Sequence, residues 1–486
     1  VKVDPTPGQT GHDIDHGEHS APVPAGHGHG GGSIEHGDGN AMDGMSGMEM
    51  QDPGAMAAHG QAVPWAHFFA AIILGFWLIT SPFALNYSST ALAWSDVISG
   101  ALVIGFAAVT LVRGSSWAPW ANSLVGVWLL LAPLVFKAPT AAAYANDTLA
   151  GALVIAFVLL MPGMPGMKMV PGPDTPPGWS YNPSSWPQRA PIIALALLGF
   201  FLSRQMAAYQ FGHTPSVWEP FFNPGTKAVL SSKLSRSFPI SDAGLGAAAY
   251  MIEALMGFMG DKARWRTMPW MVAFFGILVV PLGIASISLI ILQPVAVGAW
   301  CTPCLLAALA MLVMIALTLD EVVAMGQFLV QARREGQALW QTFWLGGTLA
   351  EAGPDLGAVR PDEVSAQAMV WGVALPWNLL VSAAVGLWLM ASPAVLGTVG
   401  RAADSDNIVG ALVVTVAFIA LADVGRAARF LNVVFGAWFI AAPWLLSGGT
   451  TAAAWNDVAA GVALILLSLP RGHVRERYGS WQRFIR

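Results

Sequence analysis

The chain has only two cysteines, Cys301 and Cys304, three positions apart in Trp300-Cys301-Thr302-Pro303-Cys304-Leu305. Two thiols at that spacing, where a helix begins, can close a small disulfide. The positive end of a helix favours the thiolate, the species that attacks disulfides. A redox pair is the chemistry this segment offers, with two packed structural cysteines as the alternative. The count rules out a disulfide framework. A zinc site would need further ligands, and His213 is the only other histidine expected at that end of the protein.

Other residues stand out by where they fall. Arg204 and Glu253 lie in apolar runs, where a charge is costly. Arg204, late in its run, reads as snorkelling outward. Glu253, next to Tyr250 on the same helix, either pairs with another span or lines a ligand pocket with it. Asp320 and Glu321 read as solvated at the far end of their helix. Residues 1–60 contain His12, His16, His19, His27, His29, His36 and His59, with Met42, Met45, Met48, Met50 and Met56. Imidazole with thioether suits copper, and imidazole alone suits zinc or nickel. The first six histidines are therefore candidate weak metal ligands in a Gly-rich tail, and an inert or partner-binding tail is the alternative. No other part of the chain calls for a metal. A second methionine run, Met161, Met164, Met167 and Met169, sits among prolines and suggests docking against membrane neighbours.

The elements that must position these residues are apolar helices. Only 10% of the 486 residues are charged and 55% are hydrophobic, with a mean hydropathy of +0.58. Soluble domains carry about 25% charged residues. Apolar runs of bilayer length recur between Trp65 and Leu469. With no water to satisfy free backbone groups there, they must be helical. About twelve spans are expected, near 65–84, 96–112, 120–136, 147–161, 190–209, 241–259, 268–292, 302–325, 371–391, 406–422, 430–446 and 457–469. Alternate connectors and both tails carry all but six of the 23 Lys and Arg, the six being Lys137, Arg204, Lys227, Lys233, Arg236 and Arg401. The positive-inside rule then places both termini in the cytoplasm and the CxxC pair at the outer face. Nothing resembles a basic nucleic-acid patch. Residues 1–60 also lack the apolar core of a cleavable signal peptide.

Four segments share one pattern. Gly75-x-Trp77 precedes Ser81-Pro82, Gly126-x-Trp128 precedes Ala132-Pro133, Gly386-x-Trp388 precedes Ser392-Pro393, and Gly436-x-Trp438 precedes Ala442-Pro443. Downstream come Asp96 and Gly100, Asp147 and Gly151, Asp406 and Gly410, and Asp457 and Gly461. Such agreement marks repeated architecture. The Pro is expected to end or bend the first helix. The Asp is expected to cap the second, and the Gly to allow close helix contact. Trp94, Tyr144 and Trp455 suit an interfacial aromatic belt. The pattern resembles the SPW-repeat family over about 65–160 and 371–470, although Trp follows Pro only at Pro443-Trp444. The resemblance implies a membrane module without defined chemistry.

The central segment resembles the vitamin K epoxide reductase family. The resemblance rests on Cys301-Thr302-Pro303-Cys304 opening the last helix of the unit, and on the upstream Ala228-Val229-Leu230-Ser231-Ser232. Phe238-Pro239-Ile240-Ser241, Gly244-Leu245-Gly246 and Tyr250 extend it. It implies a four-helix fold that couples thiol oxidation to quinone reduction. Cys304 would face the quinone, with Tyr250 and Glu253 near it, and Cys301 would exchange with a thioredoxin-like extracytoplasmic donor. The family's second cysteine pair, in the outer loop, is missing from residues 210–240. An aromatic is replaced by Ala308.

The expected layout is a 1–62 tail, repeats 1 and 2 at 63–161, a 162–189 linker and the reductase-like unit at 190–345. A 346–370 linker, repeats 3 and 4 at 371–470 and a basic 471–486 tail follow. This is an all-α polytopic membrane protein of a bacterial inner membrane, a central four-helix bundle flanked by repeated hairpins. Its reading is a quinone-linked thiol–disulfide oxidoreductase. The alternative is a non-catalytic scaffold or accessory subunit of a larger membrane complex that retains the fold.

Overall fold

The computed structural model describes residues 64–159, 172–349 and 365–485. The tail histidines and methionines and the Met161–Met169 run lie outside the described residues. Twelve long helices carry the fold: α1 (Pro64–Ala84), α2 (Thr90–Arg113), α3 (Ala118–Val135), α4 (Ala141–Leu159), α5 (Trp186–Gln210) and α6 (Asp242–Phe258). They continue as α7 (Pro269–Leu292), α8 (Thr302–Arg334), α9 (Trp377–Leu396), α10 (Gly400–Leu421), α11 (Leu431–Leu445) and α12 (Thr451–Ser468). Among the described residues, eleven helices are long and apolar enough to cross a membrane. The twelfth, α6, has 17 residues, and α11 counts among the eleven only together with the turn before it, as Asp423–Leu445. The protein is an all-α polytopic membrane protein.

The helices pack as hairpins, α1 on α2, α3 on α4, α9 on α10 and α11 on α12, around a central unit of α5, α6, α7 and α8. Each hairpin is zipped by the two repeat glycines. A Cβ on Gly100 would lie 2.5 Å from the Gly75 carbonyl oxygen, and one on Gly151 2.6 Å from that of Gly126. The same holds for Gly410 with Gly386 at 2.8 Å and Gly461 with Gly436 at 2.5 Å. No side chain fits there, so backbone meets backbone.

Hairpins then join in pairs through tryptophan. Trp77 Nε1 donates to Asn146 Oδ1 at 2.7 Å, and Trp128 Nε1 to Ser95 Oγ at 3.0 Å. The second pair repeats this, Trp388 to Asn456 at 2.7 Å and Trp438 to Ser405 at 2.9 Å. Each acceptor immediately precedes a repeat aspartate.

Three expectations need correction. The repeat aspartates are not caps: each is the seventh residue of its helix. In three of the four the caps are hydroxyls further upstream, Ser89 taking the Leu92 amide at 3.4 Å, Thr140 that of Ala143 at 3.1 Å and Thr450 that of Ala453 at 3.1 Å, while α10 follows Val399 without a side-chain cap. Alanines among the six residues between the hydroxyl and the Asp favour helix, so the helix begins early. Tyr144 is buried rather than interfacial, while Trp94 and Trp455 are exposed. The Arg204 guanidinium lies 3.3 Å from the centre of that Tyr144 ring and donates to the Ala141 carbonyl at the start of α4 at 3.4 Å.

The third correction concerns the end opposite the cysteines. Asp320 and Glu321 are buried, not solvated. Arg264 grips Glu321 with two contacts, at 2.5 and 2.6 Å, and Ser184 Oγ donates to it as well. Tyr181 donates to Asp320. Arg189 donates to the carbonyls of Ser184, Met259, Gly260 and Asp261, satisfying oxygens left free at the end of α6.

Candidate functional site

The site is built where α7 turns into α8. After α7 the chain makes a wide turn over Gln293–Val297 and reverses at Gly298, whose φ of +70° suits glycine. Gln293 Oε1 accepts the Cys301 amide at 2.9 Å. Cys301 is then the N-cap of α8, its sulfur 3.3 Å from the Cys304 amide. The two cysteines form a disulfide.

Cys301 is fully buried, whereas Cys304 is half-buried. The Met206 sulfur, from α5, lies 3.4 Å from Cys304 Sγ and 4.0 Å from Cys301 Sγ. Cys304 opens on a cleft of about 120 Å³ inside the four-helix unit, lined also by Met206, Leu230, Tyr250, Ile290 and Ala308. The cleft has room for several waters at about 10–15 Å³ each, or for one small flat ring. The wall is mostly apolar, with a polar rim that includes Ser203, Ser232, Ser235, Asp242 and Gln293. Ala308, where an aromatic was expected, leaves that room beside the sulfur.

Tyr250 lies on the cleft wall. Its hydroxyl donates to the Ala307 carbonyl at 2.7 Å, and its ring packs flush on Gly199, where a Cβ would come within 2.5 Å. Glu253 is one turn further along α6, buried, and not among the residues that line the cleft. Both of its oxygens lack a hydrogen-bond partner among the described residues, so the expected pairing with another span is not formed.

The loop between α5 and α6 supplies a residue that the sequence reading missed. Glu219 accepts the Thr302 amide at 3.1 Å and the Thr302 hydroxyl, at the first turn of α8. It also accepts the Phe221 and Phe222 amides, at 3.1 and 2.9 Å, and the Thr226 hydroxyl. Partial burial raises the Glu219 carboxyl pKa, but these hydroxyl and amide donors outweigh it and hold the carboxyl down at about 2. The loop is thereby latched over Cys301, and Gly225 lets its backbone lie against the Trp300 carbonyl. The available signal was that Glu219 is the one acid in residues 210–240.

Among the described residues, no group of three or more His, Cys, Asp or Glu is placed to hold a metal. The candidate tail ligands His12, His16, His19, His27, His29 and His36 lie outside the described residues.

The model of the vitamin K epoxide reductase family matches residues 190–319, and that of the SPW repeat domain matches 64–161 and 376–470. No curated protein and no solved structure matches the chain. The chain thus sets a central unit similar to the vitamin K epoxide reductase family, a membrane disulfide-oxidoreductase-like fold, between two pairs of SPW repeats.

Proposed function

We propose that the chain is a membrane thiol–disulfide oxidoreductase that carries two electrons from an extracytoplasmic dithiol protein, through Cys301 and Cys304, to a quinone. The observation that carries this reading is the Cys301–Cys304 disulfide at the head of α8, with Cys304 opening on an apolar cleft. A thiolate of a thioredoxin-like donor attacks the Cys301 sulfur, the bond between the cysteines breaks, and Cys304 leaves as thiolate. The first turn of α8 stabilises that charge. The donor's second thiol then resolves the mixed disulfide, which leaves the donor oxidised and Cys301 and Cys304 reduced. A quinone, when bound, supplies the acceptor for the two electrons and two protons that reoxidise the pair. Tyr250 holds the wall of its site, and Met206 backs the two sulfurs. Because Cys301 is buried under the outer loop, exchange requires that the Glu219 latch open.

The residues suit direct delivery by the donor, because residues 210–240 contain no cysteine to relay electrons. The same absence favours the second reading, an accessory membrane subunit that keeps the fold without turnover. Alkylation mass shifts of Cys301 and Cys304 in native membranes separate the two. A disulfide that a reduced thioredoxin-like protein opens and a quinone closes supports the enzyme. A pair that responds to neither leaves the accessory subunit.

A further inference from the structure

The two repeat pairs share one frame but differ at its centre. In each pair the aspartates of the two repeats come close: Asp96 interacts with Asp147, and Asp406 and Asp457 line one cavity. In the first pair the surrounding space is filled. Leu92, four residues before Asp96, and Tyr144, three before Asp147, are both buried, and the Tyr87 hydroxyl lies 3.3 Å from Asp147 Oδ1. In the second pair the corresponding residues are Ala402 and Ala454, and Thr398 stands where Tyr87 does. A cavity of about 280 Å³ opens there, lined by Asp406, Asp457, Ala402, Ala454, Ser447 and Thr450.

Both carboxylates are nine-tenths buried or more, at 2% and 5% exposure, and Asp406 Oδ2 has no hydrogen-bond partner among the described residues. No lysine or arginine lines the cavity. Two carboxylates that share so small a space cannot both stay ionised unless a positive charge lies between them. The polar side chains lining it, Asp406, Asp457, Ser447 and Thr450, all offer oxygen, which is the ligand type of a hard cation.

We propose that Asp406 and Asp457 bind a divalent, oxygen-liganding cation of the calcium class, entering at the CxxC end of the bundle. One such ion neutralises both carboxylates and ties repeat 3 to repeat 4. The first repeat pair, plugged by Leu92 and Tyr144, does not bind it. The site is independent of the redox reading, since it shares no residue with the disulfide or its cleft.

The test uses the full chain in nanodiscs of zwitterionic lipid, with Ca²⁺ added and the thermal midpoint followed. Extracellular calcium modules bind at about 10⁻⁴–10⁻³ M, so the midpoint should rise across that range for the natural chain and for Asp96→Asn. It should stay flat for Asp406→Asn. The double variant Ala402→Leu with Ala454→Tyr keeps both carboxylates but refills the cavity, and should also be flat. No rise in the natural chain, an equal rise in Asp406→Asn, or a midpoint that follows pH and ignores Ca²⁺ would overturn the proposal.

Discussion

Glu219 shows how one side chain decides whether the buried sulfur can be reached. Its carboxyl sits below the ordinary glutamate value of 4.5, at about 2, because it accepts donors from both the loop and α8. The latch it forms is therefore fully present above pH 4.5 and is lost as pH falls through about 2. Hydrogen exchange at the Phe221, Phe222 and Thr302 amides should speed up in that acid window. Glu219→Gln should exchange faster already at neutral pH and lose the acid dependence. Equal protection in the two proteins would show that the loop is held by something else. At the sulfurs, Cys301→Ser and Cys304→Ser should each abolish quinone-dependent reoxidation, and the natural donor should be trapped as a mixed disulfide only by the Cys304→Ser variant. A trap on Cys304 instead would reverse the two assigned roles. The CxxC motif was legible in the sequence because its spacing is local. Glu219 was not, because its main partner, Thr302, lies 83 residues away.

At the scale of elements, the repeat glycines and tryptophans carry separate loads. Gly100→Leu forces a side chain into the Gly75 backbone and should cost about 1–3 kcal/mol, the usual price of overpacking. Trp77→Phe removes one interhelical hydrogen bond, to Asn146, and should cost only about 0.6 kcal/mol, the average for such bonds in a membrane. Thermal midpoints of the two variants in one detergent compare them directly, and an equal loss would show that the glycine contact is not the zipper. The glycines were readable from their spacing. The reciprocal tryptophan bonds were not, since the sequence pattern gives position along each hairpin and says nothing of which hairpin it faces. The aspartates were misplaced for a related reason: the capping preference is shared by Ser, Thr and Asp, and the hydroxyl comes first along the chain.

Over the whole molecule, the count of arginines gave an orientation but hid their use. Arg189, Arg264, Arg426 and Arg429, all counted as cytoplasmic charge, are buried. Arg426 pairs with Asp423 at 2.5 Å, and Tyr478 from the C-terminal tail donates to the same Asp423. Arg264→Ala strands the buried Glu321 carboxylate and should destabilise by about 3–5 kcal/mol, as for other broken buried pairs. A denaturation midpoint close to that of the natural chain would contradict this. The orientation itself has a direct check. A membrane-impermeant amine reagent applied to intact cells should label the exposed Lys137, Lys227 and Lys233 and spare Lys262. Labelling of Lys262 alone would invert the protein. The reciprocal tryptophan bonds also set a rule of inheritance. A lone repeat carries both a tryptophan donor and a polar acceptor that it cannot bring together, so it is only half a closed unit. Repeats of this kind should be gained and lost in twos, and one made by itself should seek a copy of itself.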